Sequence, residues 1–270
     1  MQSHSLLFCY AVGIAIASLL GGMLPLSKFL THQRLQLAIS FVGGVMLGIG
    51  VLHLLPHSLG GAISPESSMY YFLFGLLAMF FLERFFSFHQ HEVPSEDLKC
   101  NHDPHHNHKH GIEWGGALVG LSVHGVCGGI ALAASVLQHS THGTGHEALP
   151  GLGTFLAIAL HKPFDSFTLS ALMSRGNWTK GFKRLVNVGF ASVVPIGILL
   201  VVLGTTLAPV SEATMSMMLA FSAGVFVCIA LSDLLPELQF HKHDRVSLSV
   251  ALCAGVLLAW VIEQLEHLFG

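Results

Sequence analysis

The chain has 270 residues, of which 52% are hydrophobic and only 10% charged, with a formal net charge of −3 and a mean hydropathy of +0.67. Soluble domains carry about a quarter charged residues, so the composition excludes an ordinary soluble protein and predicts an integral membrane one. The small net charge and the lack of a basic patch give no support for a nucleic-acid partner.

Eight apolar stretches meet the requirement of about 20 residues for crossing a hydrocarbon core about 30 Å thick. They lie near 5–26, 36–56, 69–88, 113–137, 149–173, 185–208, 215–236 and 247–269. The first, "MQSHSLLFCYAVGIAIASLL", has no basic leader and reads as a span rather than a cleaved signal. Lys28 and Arg34 follow span 1, and Arg84, Lys99 and Lys109 lie at or after the end of span 3. Arg175, Lys180, Lys183 and Arg184 follow span 5, and Lys242 and Arg245 follow span 7. The alternate loops hold no lysine or arginine, so the positive-inside rule predicts both termini outside, or in a lumen. The five cysteines are scattered without a CxxC pair and read as small hydrophobes.

Span 2 contains "GVMLGIGVLHLLPH" (44–57), which matches "GVFVCIALSDLLPE" (224–237) in span 7 at six of fourteen positions. The offset of 180 continues without a gap, pairing Gly75 with Gly255, Leu77 with Leu257 and Glu83 with Glu263. Two three-span units separated by two spans must be upside down relative to each other, an arrangement typical of transporters. The predicted fold is an all-α polytopic membrane protein, eight transmembrane helices in a 3+2+3 arrangement with an inverted repeat of helices 1–3 and 6–8. One transmembrane domain, 1–270, is expected. It divides into a first repeat at 5–88, a His-rich cytoplasmic loop at 89–112, central helices at 113–173 and a second repeat at 185–269. The repeat also sets His53 and His57 at the outer end of span 2 against Asp233 and Glu237 at the inner end of span 7. Each pair is spaced i,i+4 on one helix face. They read either as groups that receive and release a cation or as polar residues at the water interface.

Nineteen histidines are present, and seven fall in "HQHEVPSEDLKCNHDPHHNHKH" (89–110). His102, His105, His106, His108 and His110 lie in its second half, with acids and Cys100 nearby. This is the composition of a flexible metal-binding tract. The loop "QHSTHGTGHE" (138–147) adds three more.

Spans 4 and 5 carry the sharpest signal. "GLSVHGVCGG" sets His124 in apolar surroundings, and "LHKPFDS" places His161, Lys162 and Asp165 inside another apolar run. Ionisable groups at the bilayer centre cost roughly 2.5–3.5 kcal/mol each on insertion scales. Two imidazoles and a carboxylate there are a ligand set for a borderline ion such as Zn²⁺. The competing reading is an internal Lys162–Asp165 ion pair with the histidines as hydrogen-bonded packing.

With these pieces the chain resembles the ZIP family of zinc and iron permeases. The likeness rests on the eight spans, the His-rich loop and the segments "GGVMLGIGVLHLLPH", "HGVCGGIALAAS", "HKPF", "FASVVPIGILLVVLG" and "AGVFVCIALSDLLPE". The resemblance implies metal roles for His124, His161 and Asp165. It also exposes departures, since Gly125, Gly128, Lys162 and Val194 stand where two-metal members carry polar ligands. It thus implies that the Lys162 ammonium substitutes for a second metal. Met46 falls near a thioether ligand position, with core packing as the other reading.

The expected function is transport of a divalent cation, Zn²⁺ first and Fe²⁺, Mn²⁺ or Cd²⁺ behind it, from outside or lumen into the cytosol. The expected partners are that ion and the lipid bilayer, with no prosthetic group. A homodimer, the host membrane and the coupling are left open. One rival is an intramembrane zinc hydrolase on the same three residues, which lacks a separate general-base carboxylate nearby. Another is a cation-diffusion efflux carrier, which fits poorly with a chain ending "EQLEHLFG" just after span 8.

Overall fold

The computed structural model describes residues 2–23, 32–86, 113–141, 149–174, 178–207, 211–240 and 245–269. All regular structure among them is helical. The helices, in chain order, are α1 (Gln2–Met23), α2 (His32–Gly48, then Ile49–Leu54, then Leu55–Leu59), α3 (Pro65–Phe86), α4 (Glu113–Thr141) and α5 (Leu152–Ser174). Next come α6 (Lys180–Ala191, then Val193–Leu207), α7 (Glu212–Phe240) and α8 (Arg245–Phe269).

Seven of these helices are long and apolar enough to cross a membrane. The exception is α5, whose 23 residues suffice in length but whose hydropathy is lowered by His161, Lys162 and Asp165. Packing explains how α5 carries that load. Its polar residues turn inward, with His161, Lys162 and Ser166 all buried. The outward faces of α1, α3 and α8 instead present Phe8, Phe74 and Val250, the apolar surface a lipid environment accepts.

Prolines shape three helices. In α2, Pro56 cannot donate to the carbonyl of Leu52, and its ring crowds that carbonyl. The preceding residues Ile49–Leu54 widen into a π-helical turn, with the Leu55 N–H donating to Gly50 O. In α6, the chain breaks at Ser192, three residues before Pro195; the Ser192 hydroxyl donates to Gly189 O at 2.6 Å. Thr179 caps the start of α6 by accepting from the Phe182 N–H. In α5, Pro163 sits mid-helix, and its carbonyl lies so close to α1 that a Cβ at Gly21 would overlap it.

The inverted repeat is visible in how the helices touch. α1 packs on α5 and α4 on α6, while α2 packs on α8 and α3 on α7. The contacts repeat residue by residue at the offset of 180. A Cβ at Gly44 would overlap the carbonyl of Leu252, and one at Gly224 would overlap that of Phe72. A Cβ at Gly75 would likewise overlap the carbonyl of Phe221, and one at Gly255 that of Phe41. Glycines at these crossings let the backbones meet, as membrane helices require where no hydrophobic force joins them. The main apolar core runs through α2, α4, α5 and α7, with Met46, Ile49, Leu132, Ile158 and Phe226 fully buried.

Candidate metal centre

His124 on α4 and His161 on α5 face each other inside this core, 2% and 5% exposed. Their Nε2 atoms lie 3.0 Å apart. Asp165 is one turn beyond His161, and its Oδ2 is 3.7 Å from His124 Nε2 and 3.8 Å from His161 Nε2. Four-coordinate zinc with ligands near 2.0–2.2 Å separates tetrahedral donor atoms by about 3.3 Å. The triangle of 3.0, 3.7 and 3.8 Å brackets that value. The three donors therefore fit one small ion with only side-chain adjustment.

Hydrogen bonds prepare the rings for this. The His161 Nδ1–H donates to Ala157 O at 2.7 Å, which leaves Nε2 as the lone-pair nitrogen and points it at the site. His124 Nε2 faces that nitrogen across the 3.0 Å contact. Its Nδ1 is buried without a hydrogen-bond partner, as is Asp165 Oδ2. Two unpartnered polar atoms beside this imidazole contact form a site whose polar atoms are not satisfied by protein alone.

Lys162 completes the surroundings. It is 0% exposed, with Nζ 3.7 Å from Asp165 Oδ2 and 3.8 Å from the centroid of the Phe190 ring. A Cβ at Gly125 would sit 2.9 Å from Nζ and 3.0 Å from Val193, so the missing side chain at Gly125 is what makes room for the ammonium. The two readings weighed from the sequence are therefore both present in geometry. The lysine–aspartate pair exists, and the same carboxylate oxygen faces both imidazoles.

Of the other residues singled out, His53 and His57 come together on α2, and Glu263 of α8 joins them. Glu263 was legible only as the repeat counterpart of Glu83, not as a ligand. Asp233 and Glu237 lie on α7, their side chains outside the described residues. His102, His105, His106, His108 and His110 also lie outside them.

Fold and site together define a polytopic helical membrane protein built around a buried cluster of metal-type ligands. The family model described as "ZIP Zinc transporter" matches residues 5–116 and 116–263. The chain is 26% identical to the human protein "Zinc transporter ZIP4" over 298 aligned residues, covering 88% of this chain and 44% of that protein. It is 30% identical over 156 residues to the fruit-fly "Zinc transporter ZIP13 homolog", covering 56% of this chain and 41% of that one. The chain spans less than half the length of these curated relatives. It belongs to the ZIP zinc transporter family. That family consists of transporters rather than enzymes, which sets the hydrolase reading aside.

Proposed function

We propose that the protein carries a divalent cation, Zn²⁺ foremost, across its membrane through a single site formed by His124, His161 and Asp165. The observation that carries this reading is the triangle of Nε2, Nε2 and Oδ2 atoms, sized for one ion and buried at mid-helix in a membrane protein of this family.

Three protein ligands leave a coordination position for water, and that suits a carrier, whose binding must be weak enough for release. Holding the His124 proton on Nδ1, so that Nε2 can bind the ion, leaves that proton buried without a partner. That cost also keeps affinity modest. Lys162 supplies fixed positive charge where a second ion would otherwise stand, so one cation passes at a time. In this reading the ion enters from outside or a lumen past His53 and His57. It leaves toward the cytosol past Asp233 and Glu237, and the histidines at 102, 105, 106, 108 and 110 gather it there. Both termini are then extracytoplasmic. The unit at 5–88 rocks against that at 185–269 around helices 113–173, with 89–112 as the cytoplasmic tract. Fe²⁺, Mn²⁺ and Cd²⁺ share enough ligand chemistry to compete.

The test is uptake of ⁶⁵Zn²⁺ into proteoliposomes holding either the wild type or His161→Ala, both checked for monodispersity. The reading expects uptake by the wild type and none above empty vesicles by the variant. Equal uptake by the two removes the site. Uptake by neither removes zinc as the substrate, and the same vesicles loaded with Fe²⁺, Mn²⁺ or Cd²⁺ then identify the ion.

A further inference from the structure

We infer that His53, His57 and Glu263 form a second divalent-cation site, separate from the one on α4 and α5. This deepens the pathway proposed above by adding a third ligand, from α8, and by making it a discrete holding point rather than a polar rim.

The geometry carries the inference. One ligand atom from each of the three residues lies within 4.8 Å of the others. His53 and Glu263 are 1% and 7% exposed, while His57 is half-buried, so the cluster is enclosed but reachable from one side. His53 Nδ1 contacts Glu263 Oε2 at 2.5 Å, the first being 210 residues from the second in sequence. The His57 Nδ1–H donates to His53 O at 2.7 Å, which leaves Nε2 as the lone-pair nitrogen of that ring. The two imidazoles stand 4.5 Å apart between centroids. Two imidazoles and a carboxylate are the same donor set as the central site, and they suit zinc-like rather than calcium-like ions.

The backbone supports the same conclusion. His53 lies within the π-helical turn Ile49–Leu54. Such turns are rare, insert an extra residue into a helix and are frequently found at functional sites. Here the turn sets the direction in which His53 leaves α2, toward Glu263. It also packs against α5, the helix that carries His161 and Asp165, so the two clusters are joined through one helix contact.

The test counts ions on the full-length protein in detergent. Co²⁺ is titrated as the probe, bound metal is measured by equilibrium dialysis and elemental analysis, and ligand geometry is followed through the visible absorption of Co²⁺. The loop histidines contribute equally to every variant. Glu263→Gln is expected to bind one ion fewer than wild type while keeping the ion lost in Asp165→Asn, and the double variant loses two. Wild-type stoichiometry and affinity in Glu263→Gln would overturn the second site. Loss of no ion in Asp165→Asn, with one lost in Glu263→Gln, would instead overturn the central site and leave this one standing. If Glu263→Gln aggregates, His57→Gln at the half-exposed helix end is measured in its place, and the same two outcomes decide.

Discussion

The Nε2 atoms of His124 and His161 lie 3.0 Å apart across the α4–α5 contact, closer than either lies to Asp165. Two imidazoles held this near each other share one proton or one metal ion. The following expectations derive from that choice and from the lysine beside it.

His124→Ala and Asp165→Asn should each lower the initial rate of ⁶⁵Zn²⁺ uptake into proteoliposomes by at least tenfold. Even outer partners of metal ligands cost roughly 10–100-fold when removed, and these are the ligands themselves. A rate within twofold of wild type for either variant would show that the residue does not touch the ion.

Lys162→Gln should bind Zn²⁺ at least tenfold more tightly than wild type, read by calorimetry in detergent. Its ammonium is 3.7 Å from the oxygen the ion needs, and a buried cation at that range repels a dication by several kcal/mol even at an effective dielectric of about 20. Without zinc, the variant should melt below wild type, because Asp165 loses its buried counter-charge. Saturating Zn²⁺ should then raise its Tm by more than it raises that of wild type. Equal affinities would mean that the lysine does not compete with the ion.

Gly125→Asn should destabilise the protein by about 1–3 kcal/mol, the usual range for overpacking. The added side chain meets Nζ of Lys162 and the Val193 side chain. Combining it with Lys162→Ala should recover part of the loss, and thermal melts of the two singles and the double give the coupling. Strict additivity would place the clash elsewhere.

Uptake should fall as the outside is acidified from pH 7.5 to 5.5. A protonated imidazole has no lone pair to offer, so protons and metal exclude each other at His124 and His161. Uptake that holds steady or rises over that range would show that histidine ligation does not limit transport.

Much of this was legible in the sequence because the relevant signals are local or periodic. The i,i+4 spacing of His161 and Asp165 placed both on one face of α5, and the repeat at an offset of 180 reappears in the structure as the paired crossings of Gly44 with Leu252 and Gly224 with Phe72. His124 joined them because an imidazole in an apolar span needs a partner. What stayed hidden depends on tertiary packing. "HLLPH" in α2 and "DLLPE" in α7 share their proline, yet α2 carries a π turn while α7 is α-helical through Phe240. Pattern alone cannot separate two windings of one motif. Glu263 was missed as a ligand because a single acid near a helix end reads as an interfacial residue until the facing histidines are known. Span boundaries moved for simple reasons: capped by Thr179, α6 starts at Lys180, five residues before its predicted start, and α4 runs on to Thr141 past the last apolar residue of its stretch.

The widened turn of α2 has a mechanical meaning. It holds one residue more than an ordinary helical stretch of equal rise, and each α-helical residue turns the axis by about 100°. Rewinding that segment to normal pitch would swing everything after Gly48, His53 included, by that angle and pull the imidazole off Glu263. The extra residue in this turn is therefore what aims His53 at Glu263, on a segment whose Ile49 and Leu54 are fully buried.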